Sequence, residues 1–256
     1  MALRDWQAAL GQLVEARSSG RDAAPVLASL DGRALAEEER HWLREVGGSP
    51  GFALTAEVPR WWRHQRVGRS ARLTLMALGG SADAVLRDYL REVPCFTLFF
   101  IAEGLSFLDF VARTVAAPHV RPIAELERAL WTLKLAASAH GGTVPELAPG
   151  AVLERHPSAA CILFDAPPEA VLGALLKQAP LPEPEARRYP VLVAPGVPGL
   201  WRPATPEEAS AFAAGSEGTP LDAAGALPGS SADVVAALRV AGALRLRETP
   251  GPGSLT

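Results

Sequence analysis

Proline placement most limits how this chain can fold. Six of the 23 prolines precede residue 141, and 17 follow from Pro145 onward. Proline lacks a backbone donor and clashes with the preceding turn, so helix interiors and central strands reject it. The first part of the chain therefore tolerates long helices, and the second must be built of short elements separated by turns. This imbalance predicts two domains, residues 1 to 145 and 146 to 256, joined near 141 to 150. A chain of 256 residues is long enough for two modest cores.

Apolar periodicity fills in the elements. Leu3, Trp6, Leu10, Leu13 and Val14 recur at helical spacing and predict a helix over 3 to 17. Asp31 is placed to cap a second helix through Leu35, Trp42, Leu43 and Val46, ended by Gly47 and Gly48. A loop to Pro59 precedes a helix over 60 to 78, which Gly79 and Gly80 stop. Ser81 or Asp83 caps the next helix, residues 95 to 116 supply one or two buried helices, and 123 to 139 another. From Pro157 the rhythm changes to a strand at 158 to 165, a helix over 170 to 178 begun by Pro167 and Pro168, and a hairpin joining 191 to 194 with 200 to 202. Thr205, Pro206 and Glu208 form a capping-box helix start. A short helix at 221 to 224, a helix over 233 to 241 and a strand at 242 to 248 complete an α+β chain. Its all-helical N-terminal domain is followed by a small winged-helix-like α/β domain.

Several chemistries are excluded. A formal net charge of -3 does not favour a polyanionic partner such as nucleic acid. The only lysines, Lys134 and Lys177, stand outside any phosphate-binding Gly-Lys-Ser/Thr loop. Cys95 and Cys161 make no disulfide scaffold and fit a reducing compartment. The most apolar stretch, 94 to 118, contains Glu103, Asp109 and Arg113, so no membrane helix is expected. Arg4 and Asp5 open an amphipathic pattern rather than a secretory leader, and a soluble cytoplasmic protein is expected. GGSPG at 47 to 51 matches G-x-S-x-G but lacks the strand–turn–helix context of a nucleophile elbow, and no base pairs with Ser49. Of His41, His64, His119, His140 and His156, none has an i, i+4 partner, and neither cysteine has a second ligand at zinc spacing. His140, before Gly141, suits a helix C-terminus, and Glu125 and Glu127 do not share a helix face.

The segment RWWRHQRVGRSARLTL at 60 to 75 is the most unusual local feature. Arg60, Arg63, Arg66, Arg69 and Arg72 recur every third residue, which turns them about 60° per step around a helix. No single arginine stripe results. In one reading Trp61, Trp62 and Leu73 pack inward while the arginines pair with glutamates. In the other, Arg60, Trp61, Trp62, Arg66 and Arg69 form a recognition surface of the residue types that dominate interfaces.

Three further segments carry a family likeness: IAELERALWTLKLAASAHGG at 123 to 142, ERHPSAACILFDAPPEAVLGAL at 154 to 175, and VLVAPGVPGLWRPATPEEASAFAAGSEGTPLDAA at 191 to 224. In this order they resemble the partner proteins of multinuclear non-haem iron-dependent oxidative (MNIO) enzymes, which modify ribosomally made peptides (RiPPs). The group includes the HvfC/BufC proteins and the methanobactin-biosynthesis partner. The likeness spans roughly residues 85 to 248, whereas residues 60 to 75 depart from the common HvfC/BufC pattern. It implies a noncatalytic subunit with no cofactor of its own, which forms a heterodimer with the iron-bearing enzyme and recruits the leader of a precursor peptide. It also implies a C-terminal domain like a RiPP recognition element, which takes up the leader as an added strand. Leu192, Val193, Leu200, Trp201, Arg202, Leu238 and Arg239 are the peptide-binding candidates, with core packing as the other reading of Leu192, Val193 and Leu238. A DNA-binding regulator is the competing function, though the helix at 233 to 241 has Arg239 as its only basic residue.

Overall fold

Local signals set most element boundaries in the first part of the chain. The computed structural model describes residues 3–94, 97–136, 150–215 and 218–247. Expectations for Cys95, His140 and most of the joint at 141 to 150 lie outside the described residues. The chain divides into two compact units, Met1–Phe110 and Val111–Thr256. The first contains helices α1 (Leu3–Ser18), α2 (Ala24–Ala28), α3 (Glu37–Gly48), α4 (Pro50–Ser70), α5 (Arg72–Leu78), α6 (Ala82–Glu92) and most of α7 (Phe100–Thr114). Leu13, Leu30, Leu35 and Leu43 form one buried cluster, and Tyr89, Leu90, Phe107 and Leu108 are buried too.

Two expectations fail at α3 and α4. Asp31 lies in a 3₁₀ turn and pairs with Arg44 instead of capping α3. That helix starts after Ala36, whose N–H donates to the Glu39 carboxylate at 2.9 Å. Residues 50 to 59, expected as a loop, form the first half of α4. Ser49 caps it by accepting from the Phe52 N–H at 3.1 Å, and Pro50 occupies the first turn, where its missing donor is harmless. Pro59 stays inside the helix despite a cost of about 3 kcal/mol. Packing of α4 on α1, α3, α5 and α6 offsets that cost.

The second unit holds α8 (Val120–Ala136), β1 (Val152–Arg155), β2 (Ala160–Phe164), α9 (Pro168–Leu176), β3 (Tyr189–Val193), β4 (Trp201–Pro203), α10 (Pro206–Ala214), β5 (Thr219–Pro220), α11 (Ala232–Val240) and β6 (Leu244–Leu246). Its strands form two antiparallel sheets, ordered β5-β1-β6 and β2-β3-β4. The chain is thus of mixed helix and sheet, in the α+β class. α8 contacts β2 and β3. Leu153, Leu192, Phe212, Leu227, Val235, Leu238 and Leu244 share one core.

The expected hairpin is present, with Val193 opposite Trp201 and Leu192 opposite Arg202. Its tip requires Gly196, where a Cβ would stand 2.6 Å from the Val240 carbonyl oxygen. The Thr205 box closes as expected: Glu208 N–H donates to the Thr205 hydroxyl at 3.1 Å, and Thr205 N–H donates to the Glu208 carboxylate at 2.8 Å. Residues 221 to 224 are not helical, because the Asp222 carboxylate takes the N–H groups of Ala224 and Ala226 in a side-chain turn. β1 escaped the sequence reading because only Leu153 of its four residues is buried, which leaves too little alternation to detect. Among the described residues, no helix is long and apolar enough to cross a membrane.

The capping role of Ser49 is testable. Ser49→Ala should lower unfolding stability by about 1 kcal/mol, read as a lower urea midpoint at unchanged slope.

Candidate docking surface and peptide-recognition site

The 60° rotation between successive arginines sorts them into different surroundings. Arg63 is 2% exposed, and its Nε donates to Oε1 of the fully buried Glu103 at 2.8 Å. The Tyr89 hydroxyl donates to the same oxygen at 2.8 Å, and the Arg63 guanidinium lies 5.1 Å from the Tyr89 ring centre. Arg66 stands 3.7 Å from the other Glu103 oxygen and donates to the Thr97 carbonyl. Burial, with the Glu103 charge adding to it, pushes the Tyr89 hydroxyl well above its ordinary value, so it remains a neutral donor. This cluster ties α4 to α6 and α7. Glu103→Gln would leave Arg63 buried opposite a neutral group, and should cost about 3–5 kcal/mol in chemical denaturation.

With Arg63 inside, the tryptophans are outside, which reverses the inward packing considered for them. Trp61 and Trp62 are 54% and 49% exposed, with ring centres 4.7 Å apart in an edge-on pair. Leu54 and Val58, 74% and 50% exposed, share their side of α4 at three- and four-residue spacings. Of the five expected interface residues, Arg66 is thus directed into the ionic cluster. Arg60 is half-buried 3.7 Å from Glu57, and Arg69 is exposed, as is Arg72 further on. Burial and then the Arg60 guanidinium lower the His64 imidazole below its ordinary 6.5, which favours its neutral form at pH 7. Leu54 and Val58 went unrecognised because Pro50 and Pro59 made their segment read as a loop. The adjacent Ser49-Pro50 pair, a cap followed by a first-turn proline, was the available signal.

In the second unit, Leu192, Val193 and Leu238 are buried in the interior. Leu200 closes the hairpin with a left-handed φ of 71°. Trp201 is half-buried on β4, and Arg239 is half-buried on α11. Arg202 bonds Glu208 at 3.1 Å and the Pro203 carbonyl at 2.9 Å. The Arg202 bond, aided by the Thr205 N–H, holds the Glu208 carboxyl below the usual value although burial opposes it. A carboxyl depressed in the folded state adds stability above its unfolded pKa, and this is lost as pH falls through the folded value. Glu208→Gln should therefore flatten the loss of melting temperature as pH drops below 4.5.

A cavity of about 690 Å³ lies within this unit, lined by residues between 112 and 125, by Cys161 and Leu163 of β2, and by Asp165 and Arg188. Burial pushes the Cys161 thiol up to about 11, so it is not a thiolate at neutral pH. Among the described residues, no three His, Cys, Asp or Glu side chains converge as metal ligands. No protein-family model matches the chain, and no curated protein matches it.

Proposed function

We propose that this chain is the noncatalytic partner subunit of an MNIO-type iron enzyme. In this reading the outer face of α4 docks on the enzyme, and the second unit, a winged-helix-like recognition element, recruits the leader of a ribosomally made precursor peptide. The iron and the oxidative chemistry belong to the enzyme. The observation that carries the docking half is the exposed set Leu54, Val58, Trp61 and Trp62 on one side of one helix. Two adjacent exposed tryptophans are costly to leave in water, and tryptophan with arginine dominates the energetics of protein interfaces. Arg69 and Arg72 extend the same helical region with positive charge, which suits an apolar groove with an acidic rim.

The experiment is co-expression with an MNIO enzyme and its precursor peptide. A Trp61→Ser/Trp62→Ser variant should keep the parent's melting temperature, since both side chains are exposed, yet bind the enzyme ~30-fold more weakly. A parent chain that stays separate from the enzyme and leaves the peptide unmodified overturns the reading.

A further inference from the structure

We propose that two copies of this chain pair through the outer face of α4 as antiparallel helices, so that the free protein covers its own docking surface. The pairing itself depends only on α4, and the masking rests on the function proposed above. Gly51, Leu54, Val58, Trp61, Gln65 and Gly68 follow one another at alternating spacings of three and four residues. At 100° per residue they fall within an arc of about 100°, the kind of seam along which one helix packs on another. All of them are exposed in the single chain.

Glycine at two of these positions serves no purpose within the chain. Gly68 lies inside the helix, where glycine is a poor helix former, yet a Cβ there would meet no atom within 4 Å and its φ is not in the left-handed region. Gly51, in the first turn, is equally free of neighbours. Neither the backbone nor the packing of one chain requires a missing side chain at these points. Close approach of a second backbone does.

The order of sizes along the seam identifies that second backbone as another α4. Turned end for end on itself, the helix sets Trp61 against Val58 of the second copy on both sides of a two-fold axis, Leu54 against Gln65, and Gly68 against Gly51. The large side chains interleave at the centre, and the glycines leave room at both ends for the helices to close around them. Beside the seam, Glu57 comes next to His64 of the second copy, which offers a ring N–H to its carboxylate, and Trp62 comes next to Thr55. Antiparallel order also opposes the two helix dipoles. The seam spans about two and a half heptads, so the interface belongs to the small, transient size class. Leu54, Val58 and Trp61 cannot face a second copy and an enzyme at once, so enzyme binding has to separate the pair.

The test is sedimentation velocity on the full chain from about 1 to 500 μM, in which the mass should rise from the 26.9 kDa of one chain toward twice that value with a midpoint of about 50 μM. Gly68→Leu should hold or raise the melting temperature, because leucine is the better helix former, yet weaken the dimer at least about tenfold by keeping the helices apart. Disulfide trapping in a Cys95→Ser/Cys161→Ser background reads the order: chains with Leu54→Cys should cross-link to chains with Gln65→Cys in preference to their own kind. A chain that stays monomeric at the highest concentration, unchanged or tighter association of Gly68→Leu, or preferential cross-linking of Leu54→Cys chains to each other overturns the proposal. Added enzyme should replace the dimer by a complex holding one copy of this chain, and a complex that keeps the α4 pair overturns the masking. Monomer throughout with the enzyme complex intact removes the self-pairing and keeps the docking of α4; a dimer that forms while the enzyme fails to co-purify does the reverse.

Discussion

The contact between Arg63 and Glu103 sets the orientation of α4, and the surface of the first unit follows from it. Both groups are out of water, and each has to be neutralised by the other because an unpaired buried charge costs several kcal/mol. Tyr89 and Arg66 complete the carboxylate's surroundings from two other directions. At 100° per residue, a helix with Arg63 facing inward turns Leu54 to the opposite side, with Trp61 about 160° and Val58 about 140° away. The exposed apolar stripe is therefore a geometric consequence of burying one guanidinium. Ion pairs of this kind add little net stability compared with apolar packing, but they discriminate strongly between helix rotations.

In the second unit the equivalent constraint is the sequence of the central strand. Pro190 has no N–H, and it lies where β3 faces β4, so pairing with β2 loses no hydrogen bond. Edges of small sheets invite unwanted pairing and are usually blunted. β4 is blunted by its shortness, by Pro203 and by the Arg202 side chain bound to Glu208. β2 is the other end strand of this sheet, and among the described residues no strand pairs with its outer side.

Legibility from sequence followed the range of the interaction concerned. The helix at Leu3, the Thr205 box, the Pro168 helix start and the β3–β4 hairpin all depend on residues within a few positions, and each was readable. Failures came where a distant or competing contact decided. Pro59 is tolerated because α4 packs along several neighbours, and Asp222 prefers its own turn to a helix. Among the site residues, the sequence left open whether Trp61 and Trp62 pack inward or face outward, and it is the burial of Arg63 that turns them out. Leu54 and Val58 were hidden by their prolines, and the cavity beside Cys161 and Leu163 had no linear signal at all.

By itself the sequence determined where the backbone can be helical, where it must turn, and that a regularly spaced set of arginines cannot share one face of a helix. Those outcomes depend on φ restriction, missing donors and caps, which act locally. Only the tertiary structure decided which arginine goes inside and which strand edge stays open. The partner of Arg63 lies 40 residues away, and the edge at Cys161 and Leu163 is defined by register with β3 across an intervening helix. Charge burial and strand pairing are settled by the three-dimensional neighbours, which the local spacing of residues does not specify.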